Sequence, residues 1–239
     1  MTFIAGLRCP DGIVLCSDSL ESDGYNKKNV QKLFKHEVQG KWGIGFGCSG
    51  TAAACTNFSD RLLELMKDFE DYDRRGTEKL VEATLAYMRR EYPTESLDVI
   101  VGLWGCSPAE TRLYRAQSHC QCVSVESDYS CAGLDVSLAR FLLDSILTPT
   151  ATVFDAMYIA SFVTSIMKEK ADGVGGPTQM FWHHTKGVRW AEAKKSEMSR
   201  IERGGFIKGN FKIADLEKNI RQFCWQRFPH EFRPASKDD

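Results

Sequence analysis

Two short apolar runs open the chain, FIAGLR at 3–8 and GIVLCS at 12–17, either side of a Cys-Pro-Asp-Gly turn. Apolar runs of strand length around such a turn predict a β-hairpin. GIVLC is continuously apolar rather than alternating, which predicts a strand covered on both faces. A second strand pair is expected at 30–35 and 42–48, joined by a polar turn around Gln39-Gly40. The period then changes. Phe58, Leu62, Leu65, Met66 and Phe69 recur at helical spacing, and Val81, Leu85 and Met88 do so again behind an expected cap at Thr77. Pro93 ends that second helix. DVIVGLWGC reads as a buried strand, and TRLYRAQ and HCQCVSVES as two more. Two helices follow. One carries Ala139, Leu142, Leu143 and Ile146 on a single face; the other, 153–170, is apolar almost all round, the mark of burial between layers or at a subunit contact. TQMFWHH and GVRWAEA close the pattern as a hairpin.

The order is therefore strands, two helices, strands, two helices, strands. An α+β fold in which helix pairs cover the outer faces of two stacked antiparallel sheets satisfies every apolar face in that order. No linker breaks the pattern before about residue 203, so a single domain is expected over 1–203. The Gly204-Gly205 pair then introduces a C-terminal extension, 204–239, in which Ile213, Leu216, Ile220 and Phe223 line a short helix ended by Pro229.

Composition narrows the function classes. The chain has 239 residues and a formal net charge of -1, with no clustering of basic residues, which argues against a nucleic-acid partner. No apolar run approaches the roughly 20 residues needed to span a bilayer, so no membrane partner is expected. The start lacks a secretory pattern, and the nine cysteines are most simply reduced thiols. A cytoplasmic location is expected, with no cofactor and no metal.

The chemistry begins at Thr2. Removal of Met1, expected when a small residue follows, gives Thr2 both a hydroxyl nucleophile and a free α-amine. An α-amine has a pKa of about 7.7–8.0, so it can accept the proton of its own hydroxyl. Such a site needs a cation to keep the amine neutral and a carboxylate to hold that cation. Asp18 closes the second strand and Lys32 lies in the next one, within KKNVQKLFK. Taken alone, Asp18 reads first as a turn or cap residue and Lys32 as a solvated lysine in a basic stretch.

Taken together, TFIAGLRCPDGIVLCSD, GYNKKNVQKL and GIGFGCSGTAAA resemble the N-terminal half of proteasome β subunits, the bacterial HslV-type peptidase and the proteasome-like Anbu proteins. In that family an N-terminal Thr is followed by Asp after two strands, then by Asn-x-x-Lys, then by a strand running into small-Gly-small-Ala-Ala at a helix start. Here those positions are Thr2, Asp18, Asn29 to Lys32, and Ser49 to Ala53. The resemblance implies the four-layer αββα sandwich of N-terminal-nucleophile (Ntn) hydrolases. It also implies Thr2 as nucleophile and base, Lys32 as the cation that tunes it, Asp18 as the carboxylate that orients Lys32, and the Gly50 amide as oxyanion donor. Ser22, Val30, Cys48 and Ala52 fall where family members line the substrate channel and first specificity pocket, which Cys48 and Val30 would make medium-sized and apolar.

The second half departs from the family pattern. Where members carry Gly-Ser-Gly before the third helix, this chain has Cys131-Ala132-Gly133, and Ala132 cannot donate a hydrogen bond. Where members carry Asp, two residues, then Ser-Gly-Gly, this chain keeps Gly175 and Gly176 but has Val174 at the Ser position, with Asp172 one place late. The expected function is a threonine-type peptidase of a self-compartmentalising homo-oligomer, a ring or spiral acting on peptide or unfolded-protein substrates with an ATPase regulator as a possible partner. The alternatives are an inactive structural subunit of such an assembly and a small-molecule Ntn amidase. Other candidates are weaker. His119, Cys120 and Cys122 have no second ligand pair at zinc spacing. His183 and His184 point to opposite faces of a strand. GIGFG lacks the Lys-Ser/Thr of a phosphate loop.

Overall fold

The first hairpin forms where the apolar pattern placed it. β1 (Phe3–Cys9) and β2 (Gly12–Ser17) pair antiparallel, from Ile4 opposite Ser17 to Cys9 opposite Gly12. Every residue of β2 is buried, because its two faces meet two different layers. Ile13 and Leu15 enter an apolar cluster with Ile4, Leu33, Ile100, Leu113 and Phe181. Cys16 faces the other way, with its Sγ 3.5 Å from Thr164 Oγ1.

The computed structural model describes residues 2–22, 26–38, 42–67, 74–105, 110–118, 123–126, 128–185 and 191–192. The chain divides into two compact units, Met1–Ala193 and Lys194–Asp239, and the described residues belong to the first. Among them, one five-stranded sheet runs β10 (Tyr129–Gly133), β1, β2, β11 (Gln179–His184), β12 (Ala191–Glu192). The other runs β5 (Leu33–Val38), β6 (Trp42–Ser49), β7 (Asp98–Trp104), β8 (Arg112–Gln117), β9 (Val123–Glu126). Every pairing in both is antiparallel. α1 (Ala52–Lys67) and α2 (Arg74–Glu91) pack together over the second sheet, where Phe58, Leu62 and Leu85 cover Phe46, Val99 and Val101. α3 (Val136–Ile146) rests on β10, and α4 (Val153–Lys170) on β1 and β2. The architecture is the α+β, four-layer αββα sandwich.

The sheets stack closely because glycines face the interface. A Cβ on Gly6 would lie 2.6 Å from Leu113 Cδ1, and one on Gly47 would lie 3.1 Å from Ile4 Cγ2. The glycines of GIGFG thus belong to a packed strand, β6. Nine of the 18 residues of α4 are buried, on β1, β2, β11 and α3, and Thr152 and Asp155 close a reciprocal capping box at its start.

Four features differ from the sequence reading. β10 was not expected, and its short mixed segment YSCAG is a strand because β1 pairs with it, Phe3 opposite Gly133. A small hairpin, β3 (Leu20–Ser22) with β4 (Lys27–Asn29), occupies the expected lead-in to the second strand pair. Lys32 consequently precedes β5 rather than lying within a strand. Thr77 lies inside α2, fully buried, rather than capping it. Phe69, the His119–Cys120–Cys122 group and the extension 204–239 lie outside the described residues.

Candidate active site

Asp18 follows directly on β2 and is fully buried. A buried carboxylate keeps its charge only where donors replace the water it has lost. Four do so here. Oδ1 accepts from Phe3 N and Lys32 Nζ, both at 2.9 Å; Oδ2 accepts from Leu20 N and Gly175 N, both at 3.1 Å. Asp18 N in turn donates to Phe3 O at 3.2 Å. One carboxylate therefore ties together the start of β1, the Lys32 side chain, the lead-in to β3 and the Gly175 turn.

Lys32 is 7% exposed, and its Nζ donates to Leu20 O at 2.6 Å as well as to Asp18. Burial draws its pKa below the ordinary lysine value, and the Asp18 charge opposes that pull. The backbone that carries Lys32 lies in no ladder over 30–32. It is held by Val30 N donating to Ser19 O at 2.8 Å and by the side chain of Gln179 in β11. Gln179 Nε2 donates to Val30 O at 2.6 Å, while its Oε1 accepts from Lys32 N at 2.8 Å and Leu33 N at 3.2 Å.

Thr2 is also 7% exposed and stands one residue before Phe3, whose amide meets Asp18. Its carbonyl accepts from Leu134 N at 2.9 Å. Gly133 makes that approach possible: its φ is +103°, and a Cβ there would fall 1.9 Å from Thr2 O and 3.2 Å from Ser49 Oγ. The same contact sets the end of β6 beside Thr2. Gly50 follows at the surface, backed against Ser96, where a Cβ would lie 2.6 Å from Ser96 O. Thr51 then caps α1 through Ala54 N, which donates to Thr51 Oγ1 at 3.3 Å.

The candidate pocket residues are more dispersed in character. Ser22 and Val30 are half-buried, and Ala52 is exposed in the first turn of α1. Cys48 is 2% exposed and sits in the apolar cluster under α1, hydrogen-bonded to Cys55. Burial pushes the Cys48 thiol up, while the hydrogen bond from Cys48 and the Lys32 charge bring the Cys55 thiol down. Ala132 is buried in the cluster between the sheets, and Val174 is buried beside the Gly175 turn. His183 stacks on Trp104 with ring centroids 5.4 Å apart, while His184 Nε2 lies 3.2 Å from Asp11 Oδ2, so the two face opposite sides of β11.

The structure thus brings Thr2, Asp18 and Lys32 to one place and sets Ser49-Gly50 beside them. Sequence reasoning missed two supports. The Gly175 amide was recognised only as a retained glycine, and nothing marks a single Gln in a strand as a clamp. Chemically, the arrangement offers a buried ammonium–carboxylate pair at the start of a strand, next to a residue bearing a hydroxyl.

The sequence model of the family described as Proteasome subunit matches residues 2–177. No curated protein sequence matches the chain. Among solved structures, Anbu (ancestral beta-subunit) from Yersinia bercovieri is similar with a TM-score of 0.72 at 14% identity, over 84% of this chain and 92% of that one. An Anbu (Gly-1) mutant from Hyphomicrobium sp. strain MC1 has a TM-score of 0.75 at 14% identity, over 93% and 96%. The helical assembly of the Anbu complex from Pseudomonas aeruginosa has a TM-score of 0.69 at 16% identity, over 99% and 98%. These likenesses concern the fold, whereas the family match spans most of the sequence: the chain belongs to the proteasome subunit family.

Proposed function

We propose that this chain is a threonine-type endopeptidase subunit of a self-compartmentalising homo-oligomer. The observation that carries the reading is the buried Lys32–Asp18 pair bonded to the amide of Phe3, the residue after Thr2. An ammonium there lowers the proton affinity of both the Thr2 α-amine and its hydroxyl. With Met1 removed, Thr2 Oγ1 attacks the scissile carbonyl and passes its proton to the α-amine. The Gly50 amide, ahead of α1, stabilises the oxyanion. The tetrahedral intermediate collapses to an ester, and the proton moves from the α-amine to the departing amine of the peptide. Water, deprotonated by the same α-amine, then releases the acid and restores Thr2. Ser22, Val30 and Ala52 line the channel and a medium-sized apolar pocket, with Cys48 buried beneath them under α1. The domain spans 1–203 with 204–239 as an extension, and the protein works in the cytoplasm, as a ring or as a spiral akin to the helical assembly of its Pseudomonas aeruginosa neighbour.

Two measurements on the purified chain test this. Mass spectrometry is expected to show loss of Met1, and its retention would block the α-amine and end the mechanism. A peptide epoxyketone is expected to label Thr2 in the wild type, while Thr2→Ala loses peptide cleavage; a Thr2→Ala protein that cleaves as fast as wild type would overturn the assignment. A second reading, an inactive structural subunit, is favoured by Ala132 and Val174, which put hydrocarbon where family members place hydroxyls. Labelling of Thr2 decides against it.

A further inference from the structure

Gln179 opens β11 directly opposite Ser17, so it lies across the sheet from the residue that precedes Asp18. Its side-chain amide reaches over to the segment 30–33 and meets it three times, at Val30 O (2.6 Å), Lys32 N (2.8 Å) and Leu33 N (3.2 Å). The partners fix the orientation of the amide. A flipped group would set its oxygen against the Val30 carbonyl and its NH2 against two N–H donors. Only a side chain with both an acceptor and a donor at that length matches the segment, because glutamate lacks the donor and asparagine is one methylene short.

What this clamp holds matters for the site. Residues 30–32 have no strand partner, yet they carry Val30 and Lys32. A lysine amine sits at the end of a flexible four-carbon stem, so its meeting with Asp18 at 2.9 Å depends on where the backbone of Lys32 is pinned. We infer that Gln179 is a positioning residue: by gripping the 30–33 segment it sets where the Lys32 amine meets Asp18 and where Val30 faces the candidate pocket. The kinetic consequence rests on the peptidase reading; the geometric one does not.

The experiment uses Gln179→Met in the full chain, close in shape to glutamine but unable to make the three bonds. Competitive acylation of amines across pH, read by mass spectrometry, gives the titration midpoint of Lys32 whether or not the protein is active. The expected result is a midpoint displaced from wild type toward that of an exposed lysine, because a loosened segment lets water reach the amine. Epoxyketone labelling of Thr2 is expected to slow by about tenfold or more, since misplacement by about 1 Å in a site is worth up to about 100-fold. Lys168→Met removes the 2.6 Å bond from Lys168 Nζ to Thr178 Oγ1, next to Gln179 but away from the segment, and is expected to leave the Lys32 midpoint unchanged. A folded Gln179→Met protein with a wild-type Lys32 midpoint overturns the inference, as does an equal shift in Lys168→Met. If wild type is never labelled at Thr2, the peptidase reading fails and the midpoint still decides the role of Gln179. Should Gln179→Met not fold, Gln179→Asn carries the same comparison: it stays neutral, is one methylene too short to reach the segment, and overturns the inference if the Lys32 midpoint stays at the wild-type value.

Discussion

Asp18 accepts four hydrogen bonds from inside the protein, three of them from backbone amides. The two members of the Lys32–Asp18 pair therefore differ in what their loss does. Asp18→Ala strands the buried Lys32 amine and three amides, and should cost about 3–5 kcal/mol in urea unfolding. Lys32→Met leaves the carboxylate its three backbone donors, so the loss of stability should be smaller while epoxyketone labelling of Thr2 is abolished. Equal losses of stability would show that the amine is no more than a structural counter-ion. His183 offers a test of the core instead. Burial, and then the His184 charge, push its pKa down to about 4 from the ordinary value of 6.5. A base with a depressed folded pKa is protonated first in the unfolded chain, so its contribution is complete above about pH 6.5 and is lost as pH falls toward 4. His183→Phe keeps the stack on Trp104 and removes the titration. Its melting temperature should therefore fall less than that of wild type between pH 7 and pH 4.5; parallel curves would refute the assignment.

At the scale of elements, the site is a meeting of three strand ends. The start of β1, the end of β6 and the end of β10 converge at Gly133, which has a backbone φ of +103° and no space for a side chain against Thr2 O. Gly133→Ala is expected to push the Thr2 carbonyl away and to strain the backbone by about 1–3 kcal/mol. Thermal melting should register that cost, and labelling of Thr2 should fall far more than the melting point suggests. Unchanged labelling in a destabilised protein would mean that this junction does not place Thr2. The elements differ in how plainly the chain announces them. β2 and β7 are continuous apolar runs and were readable directly. β10 was not, since Tyr129-Ser130-Cys131 has no run or alternation of its own and becomes a strand only through its ladder with β1. α1 begins at Ala52, where the family resemblance put a helix start, ahead of Phe58, the first residue of its apolar period.

At the scale of the molecule, two sheets share one apolar cluster, and each carries its own helix pair. Contacts with β1, β2, β11 and α3 bury half of α4, while Phe154 stays 52% exposed, so this one subunit accounts for only part of its apolar surface. Self-association is a separate question, and sedimentation with electron microscopy of the purified chain answers it. The peptidase reading expects a closed ring or a spiral of many copies. A monomer at every concentration would give the proposed nucleophile no enclosing chamber and make sheltered proteolysis untenable.

The sequence by itself determined the layer order, because apolar periods of two and of 3.6 dictate which faces must be covered, and the order of strands and helices leaves one economical way to cover them. It also supplied Thr2, Asp18 and Lys32 as an ordered set. What it left open was whether Lys32 is buried, since a lysine in KKNVQKLFK reads by itself as solvated. Lys27 and Lys28 are exposed in β4 and Lys35 is exposed in β5, while Lys32 alone of the four is buried against Asp18. Its burial was decided by tertiary structure, through the Asp18 carboxylate and a Gln179 side chain 147 positions away that grips the backbone of Lys32. Periodicity records which face of an element is buried, but it carries no trace of a hydrogen bond between a side chain on one sheet and the backbone leading into another.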